Sequence, residues 1–231
     1  MNILSFTTIS AGSVAIYSEK RLKYSAFFDL RTTHSETLLP EIDRGLKKSD
    51  LKISDIDLVV ISHGPGSFTG TRIGLASAKG ICMARSIPLV WIDSLTLLAH
   101  NVYGSAIPIL ALIDARMQEV YAALFSPKLE TIIPPVNIKP AELAKKLGEP
   151  VLIVGDGGEV YRDIFKASEH AHKFALPHQN LPKADGLISI VLHKQITASY
   201  DFDKIANLEP LYLRKSQAEL VRDKKQKEQK E

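Results

Sequence analysis

Residues 56–85 read IDLVVISHGPGSFTGTRIGLASAKGICMAR and contain the strand, turn and helix that decide the fold. The nearly continuous apolar run at 56–62 is typical of a strand in a sheet that is covered on both faces. A glycine-rich turn follows, and the pattern at 68–85 predicts a helix. A second strand and helix at 88–92 and 94–101 complete the pattern, so this region predicts an α/β unit.

The residues before this unit predict strands and then one helix. Segments rich in β-formers lie at 2–6, 14–18 and 22–28 and are separated by turn residues, which indicates an antiparallel meander. A helix is expected from about Thr33 to Lys48, because it starts with a capping box and carries an apolar stripe. One proline inside this segment predicts a kink.

A second unit begins near Gly104 and has the same order of elements. Its predicted strands are 108–113, 119–125 and 151–155, its predicted helices are 160–166 and 187–197, and a proline-rich connection spans 127–140. The architecture therefore looks duplicated, although the two halves share no close sequence repeat. We expect an N-terminal α/β lobe at 1–103, a C-terminal α/β lobe at 104–216 and a charged, disordered tail at 217–231.

Composition excludes several classes of protein. The chain has 231 residues, of which 45% are hydrophobic and 24% are charged, with a formal net charge of +3. All of that surplus lies between Arg214 and Glu231, so the preceding residues are neutral overall and do not predict a surface that clamps nucleic acid. The single cysteine, Cys82, excludes zinc fingers and intramolecular disulfides. With no leader or membrane span recognised, we expect a cytoplasmic protein.

The glycine-rich turn is the first candidate site. Glycines allow close approach by a phosphate or by another backbone, and the turn leads into a helix N-terminus that favours anions. The spacing matches neither a Walker loop nor a dinucleotide fingerprint. A tight packing turn and an anion site both remain open, with Ser67 or Thr69 as helix cap. The candidate residues are Gly64, Gly66, Ser67, Thr69, Gly70 and Arg72.

A second candidate site follows the strand at 151–155. Gly155, Asp156 and Gly157 repeat the strand, turn and helix context, and Asp156 could hold a metal-bound phosphate or cap the helix. The segment from Asp114 to Arg116 could be a polar site at a strand end or a hairpin turn with an ion pair. No histidine spacing predicts a metal centre.

The helix after the first glycine turn has unusually small side chains, which allow another element to approach closely. They could pack this helix on its own sheet or admit a partner helix. The small residues are Gly74, Ala76, Ser77, Ala78 and Gly80.

The stretch GPGSFTGTRIGLASAKGI at 64–81 resembles the signature of the TsaB (YeaZ) family, proteins of threonylcarbamoyladenosine formation on tRNA. Supporting matches occur in the family's order along residues 1–214. They are HSE at 34–36 with LLP at 38–40, IDAR at 113–116 with EVY at 119–121, and EPLYLR at 209–214.

This resemblance implies a two-lobed α/β fold of the actin, hexokinase and Hsp70 type (the ASKHA fold). It also implies a non-catalytic partner that dimerises with the catalytic subunit TsaD and helps to recruit the ATPase TsaE. A homodimer is expected when TsaD is absent, and tRNA is expected to bind only through the complex. No cofactor is assigned to the chain itself, and ATP or ADP is expected only in the complex.

Two departures from related sequences bear on chemistry. Where TsaD carries the His-x-x-x-His pair that holds its metal, this chain has Ser94 and Leu98, which cannot replace imidazole ligands. Family members usually carry Asp-Thr-Ser after the first strand, whereas this chain reads Phe6-Thr7-Thr8. Both departures lower the expectation of a metal or nucleotide site in this chain.

The resemblance also predicts where the partner binds. The helices at about 33–48 and 68–85 are expected to form a helical bundle with their equivalents in TsaD. The residues expected in or beside this interface are His34, Leu38, Ile42, Arg72, Ala76 and Gly80. The alternative function is an ATP-dependent small-molecule kinase or a metalloprotease of the same superfold, and Asp114 and Asp156 are the candidates for holding magnesium.

Overall fold

The computed structural model describes residues 1–28 and 34–214, with the backbone alone at 34–36. The capping box of Thr33 and Glu36, the side chain of His34 and the tail at 217–231 lie outside the described residues. No described helix is both long enough and apolar enough to cross a membrane.

Two five-stranded sheets form the framework. The first contains β1 (Ile3–Thr7), β2 (Gly12–Ser18), β3 (Arg21–Phe28), β4 (Leu58–Ser62) and β5 (Leu89–Ile92). The second contains β6 (Ile109–Arg116), β7 (Glu119–Phe125), β8 (Thr131–Ile138), β9 (Leu152–Val154) and β10 (Lys173–Phe174).

Both sheets have the same topology. The first runs β3-β2-β1-β4-β5 and the second, read from its other edge, runs β8-β7-β6-β9-β10. In each, three strands form an antiparallel meander and the last two are added in parallel. This common order confirms the duplicated α/β architecture and the antiparallel meander at the N-terminus.

Eight helices surround and separate the sheets in the described part of the chain. They are α1 (His34–Lys48), α2 (Phe68–Arg85), α3 (Ser94–His100), α4 (Pro140–Lys146), α5 (Asp156–Val160), α6 (Arg162–Lys166), α7 (Ala184–His193) and α8 (Phe202–Asn207). The predicted bounds of α2 are confirmed, and the helix expected at 160–166 is instead two short helices, α5 and α6. Pro40 lies inside α1.

Helix α3 lies between the two sheets. Its Leu97 joins the apolar cluster that covers one face of the first sheet, whereas Leu95 and Leu98 join the cluster on the second sheet. Helices α1 and α2 cover the other face of the first sheet, and α4 and α6 cover the other face of the second. Burial of apolar surface on both faces of both sheets is the main stabilising contribution to such a fold.

Two elements differ from the sequence-based expectation. Part of the proline-rich connection forms the edge strand β8, which contains Pro134 and Pro135. An edge strand accepts proline because one side of its backbone has no partner strand. Helix α7 follows the second sheet in sequence but packs on the first through Leu187 and Val191. The lobe boundary at 103/104 stays a prediction.

Candidate functional site

The start of α2 is fixed by Ser67. Its hydroxyl accepts a hydrogen bond from the Gly70 N–H at 3.2 Å, which satisfies one of the free donors in the first helical turn. Its carbonyl accepts a second bond from the Thr71 hydroxyl at 2.8 Å. Ser67 is therefore the cap, and Thr69 is exposed on the helix surface.

The inner side of the glycine-rich turn is occupied by the chain's own first loop. The Ser67 N–H donates to the carbonyl of Ile9 at 2.7 Å. A Cβ atom at Gly66 would lie 2.7 Å from the Cβ of Ile9, closer than real Cβ atoms come. On the other side, a Cβ at Gly64 (φ +107°) would lie 3.0 Å from the carbonyl oxygen of Leu211. Of the two interpretations left open, this geometry favours the packing turn over the anion site.

The turn after β1 directs its hydroxyl groups into the protein. The Thr8 hydroxyl donates to the carbonyl of Gly70 at 2.7 Å, and the Thr7 hydroxyl shares a hydrogen bond with Ser62. Both threonines are buried. Phe6, which stands where the family resemblance predicts an aspartate, is fully buried in the core, and the two threonines after it attach the first loop to β4 and α2.

The second glycine turn is packed as closely as the first. Gly155 has φ +104°, and a Cβ there would lie 2.0 Å from the carbonyl oxygen of Leu112. Its N–H donates to the side chain of Asn180 at 2.8 Å. Gly157 is buried against Leu112 as well, since a Cβ there would lie 3.0 Å from the Leu112 Cβ.

Asp156 lies at the edge of the space between the sheets. Its carboxylate accepts a hydrogen bond from the Asp114 N–H at 3.1 Å. The residue is exposed by surface area, but protein atoms crowd one side of its carboxyl group, and this desolvation is the main cause that raises its pKa. The hydrogen bond from the Asp114 N–H opposes this rise in the pKa, and repulsion by the nearby Asp114 carboxylate adds to it.

Asp114 is engaged in a hairpin. Its carboxylate accepts a bond from the Arg116 N–H at 2.9 Å and pairs with the Arg116 guanidinium at 3.2 Å. Arg116, Met117 and Gln118 all have positive φ, as the tight connection from β6 to β7 requires. The hairpin interpretation of 114–116 is confirmed.

The space between the two glycine turns is small. A cavity of about 10 Å³ lies there, enough for about one water molecule. Leu98 contributes to its wall and is 2% exposed, and Ser94 one turn earlier is fully buried. Both residues belong to α3, and their side chains are packed against neighbouring elements. The lining residues are Ile9, Ser10, Leu98, Ile113, Asp156, Asn180 and Pro182.

The small residues of α2 serve two different faces. Gly74 and Ala78 are buried toward the sheet, and a Cβ at Gly74 would lie 2.4 Å from the Thr8 hydroxyl oxygen. Ala76 and Gly80 are exposed, and a Cβ at Gly80 would meet no atom of residues 1–28 and 34–214 within 4 Å. The fold therefore explains the small residue at 74 and leaves the one at 80 unexplained.

Helix α2 has an exposed strip that is one residue wide and extends over about three helical turns. Residues four apart lie above one another on a helix. Phe68, Arg72, Ala76 and Gly80 follow that spacing, and all four are exposed. We call these four residues the α2 strip.

Two of the residues predicted in or beside the interface are buried. Leu38 is 0% and Ile42 is 4% exposed, because both lie in the apolar cluster beneath α1 on the first sheet. They hold α1 in place and have no surface to offer a partner. Leu39, which the sequence placed in the apolar stripe of α1 but not among the interface residues, is 51% exposed.

Tyr212 is a further residue that the sequence did not single out as part of a site. Its hydroxyl accepts a hydrogen bond from Nε of Arg72 at 2.6 Å, and its ring lies 5.2 Å from that of Phe68. It belongs to the EPLYLR segment quoted above. Arg72 and Tyr212 are 140 residues apart in the sequence, so no local sequence pattern predicts their contact.

Comparison with known proteins identifies the family. A family model described as TsaD, tRNA N6-adenosine threonylcarbamoyltransferase, matches residues 30–221. The tRNA threonylcarbamoyladenosine biosynthesis protein TsaB of Escherichia coli is 29% identical over 231 residues, covering 94% of this chain and 96% of the relative. The TsaB protein of Buchnera aphidicola subsp. Schizaphis graminum is 30% identical over 162 residues, covering 65% and 76%. This chain belongs to the TsaB/YeaZ family.

A solved structure agrees with this family on the fold. YeaZ from Pseudomonas aeruginosa superimposes with a TM-score of 0.75 at 24% sequence identity, covering 92% of this chain and 99% of that one. The TsaB/YeaZ resemblance and the duplicated α/β fold are therefore confirmed. No group of three or more side chains able to hold a metal ion occurs within residues 1–28 and 34–214.

Proposed function

We propose that this chain is a non-catalytic subunit in the formation of threonylcarbamoyladenosine on tRNA. It pairs with a TsaD-like catalytic subunit, helps to recruit a TsaE-like ATPase and acts in the cytoplasm. The proposal rests on family membership, because the TsaB relatives are named as biosynthesis proteins of this nucleoside.

The observation that carries the partner role is the α2 strip. Gly80 has open space around the position of a side chain, so its size is not needed for packing among the described residues. Glycine inside a helix costs about 1 kcal/mol relative to alanine, which makes an unexplained helical glycine informative. Close approach by a helix of the partner supplies a reason for it. Helix α1 packs against α2, and we propose that its exposed Leu39 extends this surface.

Three features support a role without chemistry of its own. Ser94 and Leu98 are packed in the core at the positions that correspond to the metal-binding histidines of TsaD. Ile9 fills the inner side of the glycine turn. The cavity between the turns measures about 10 Å³, whereas sites for small molecules commonly measure about 300 Å³ or more.

The alternative is a kinase that binds ATP with magnesium between the lobes. Asp156 is its best candidate ligand, since it faces the space between the lobes and Asp114 is already paired with Arg116. Calorimetric titration of the isolated chain with ATP and magnesium separates the two functions. Tight binding that is lost in Asp156→Asn would favour the kinase. A metalloprotease remains the weaker alternative because no metal ligand set is assigned.

The partner role is tested by assembly. Sedimentation velocity of this chain mixed with the TsaD-like subunit of its own organism should show a heterodimer, and the chain alone should show a homodimer that the partner replaces. Addition of the TsaE-like ATPase should increase the mass only when both subunits are present. Two independently sedimenting proteins at concentrations of about 10 μM would contradict the proposal.

A further inference from the structure

Arg72 is held at the N-terminal end of the α2 strip by two aromatic rings. Its guanidinium carbon lies 3.7 Å from the centre of the Phe68 ring and 5.5 Å from that of Tyr212. Both rings are about two-fifths exposed, at 40% and 42%. Stacking of this kind is attractive because the ring faces carry negative potential.

Only some of the hydrogen-bond donors of Arg72 have a partner in the described part of the chain. Nε donates to the Tyr212 hydroxyl at 2.6 Å, which fixes the plane of the guanidinium. Neither terminal nitrogen, Nη1 or Nη2, donates to a protein atom within residues 1–28 and 34–214. The side chain is thus fixed in direction and exposed, and the described part of the chain leaves its outer pair of donors free.

The C-terminal segment keeps Tyr212 in this position. The Leu211 N–H donates to the carbonyl of His63 at 2.8 Å, and Arg214 pairs with Glu119 on β7 at 3.1 Å. Tyr212 is attached on both sides, first to the glycine-rich turn and then to the second sheet. Arg72 therefore loses little rotational freedom when it binds, and such pre-organisation increases affinity.

A fixed guanidinium matches a carboxylate. Its planar nitrogen pair forms two parallel hydrogen bonds with the two oxygens of an aspartate or glutamate, and lysine cannot reproduce this geometry. We call this nitrogen pair the fork of Arg72. An RNA phosphate can accept hydrogen bonds from the same fork. RNA surfaces, however, require several neighbouring cations, and the next two positions of the strip are the uncharged Ala76 and Gly80.

We infer that Arg72 receives a carboxylate of the protein partner that packs on the α2 strip. The inference rests on the proposed function, since it takes the TsaD-like subunit as the occupant. Ala76 and Gly80 allow the partner helix to come close, and the fork of Arg72 sets its position along α2. Phe68 and Tyr212 act as positioning residues for the fork.

The test measures affinity for the TsaD-like subunit by calorimetry, with the full chain throughout. Arg72→Lys keeps the charge and removes the fork, and it should weaken binding about tenfold. Arg72→Gln should weaken binding more and should remove most of the dependence of affinity on salt. Tyr212→Phe keeps the ring and removes the hydroxyl, so it should weaken binding about threefold. The matched control, Arg85→Lys at the exposed C-terminal end of α2, should bind like the wild type.

Each contrary outcome has a distinct meaning. If the wild-type chain does not bind the subunit, both the proposed function and this inference fail. If it binds, and Ala76→Arg abolishes binding while Arg72→Lys and Arg72→Gln bind like the wild type, only the carboxylate contact is wrong. If the Arg72 variants keep affinity for the subunit but lose affinity for tRNA, the fork receives a phosphate and the inference is overturned. In a charge-swap test, Arg72→Glu is combined with a partner in which one aspartate or glutamate is replaced by lysine. Recovery of the binding that Arg72→Glu alone loses would confirm the contact.

Discussion

Gly74 of α2 lies so close to Thr8 that a Cβ atom added to the glycine would be 2.4 Å from the threonine hydroxyl oxygen. That hydroxyl is fixed by its bond to the carbonyl of Gly70. The close approach of α2 to the first loop therefore requires glycine at 74. A Cβ atom added to Gly80, six residues later on the same helix, would have no neighbour within 4 Å in the part of the chain that the structure describes.

This contrast predicts opposite effects for two identical substitutions. Gly74→Ala should lower the free energy of unfolding by about 1–3 kcal/mol, because the methyl group forces the loop and helix apart. Gly80→Ala should leave it unchanged or raise it by up to about 1 kcal/mol, because alanine favours the helix. Urea unfolding of both variants measures the difference. Equal destabilisation by the two variants would show that the space around Gly80 is not open.

Ala76→Arg should separate folding from assembly. The exposed position accommodates a long side chain, so the thermal midpoint of the isolated chain should stay within a few degrees of the wild type. Affinity for the TsaD-like subunit should fall by at least about a hundredfold, because a buried unpaired charge in an interface costs several kcal/mol. The control is Ala141→Arg on the exposed side of α4. If Ala76→Arg binds as tightly as this control, α2 is not the interface.

Asp156 should make stability depend on pH. Desolvation raises its pKa in the folded state, so the folded protein holds this proton more tightly than the unfolded chain does. Its favourable contribution is present below the unfolded pKa and is lost as pH rises through the folded pKa. Asp156→Asn retains the acceptor for the Asp114 N–H and cannot ionise. The stabilisation by this variant should therefore be larger at about pH 8 than at about pH 5 in urea unfolding. If Asp156→Asn changed the free energy of unfolding equally at both pH values, the raised pKa of Asp156 would be contradicted.

Cys82 should be inert in the folded protein. It is buried in the cluster beneath α2, and desolvation raises the pKa of its thiol to about 12. Since the thiolate is the reactive form, a thiol reagent at about pH 8 should label the chain only as fast as it unfolds. Mass spectrometry of labelling with and without urea measures this. Rapid stoichiometric labelling without urea would show that α2 opens in the native state.

The local sequence pattern predicted most of the strands and helices. The elements that it missed depend on packing between distant parts of the chain. The bounds of α2 follow from the serine cap and the small residues after it, all of which are local. Pro134 and Pro135 concealed β8, because only its place at the sheet edge makes proline acceptable there.

The candidate site was predicted less completely for the same reason. Ala76 and Gly80 were found by residue size, but sequence cannot tell which face of a helix meets the sheet. Leu38 and Ile42 are buried where an interface was expected. Tyr212 joins Arg72 only through the long-range path of the C-terminal segment over the glycine turn.

The most direct test of the partner role is an omit-one reconstitution. The TsaD-like subunit, the TsaE-like ATPase and the enzyme that forms threonylcarbamoyl-adenylate are incubated with tRNA, and nucleosides are measured by mass spectrometry. Product should form with the wild-type chain or Ala141→Arg, and should fall to background when the chain is omitted or replaced by Ala76→Arg. Undiminished product without the chain would contradict a role for it in this modification.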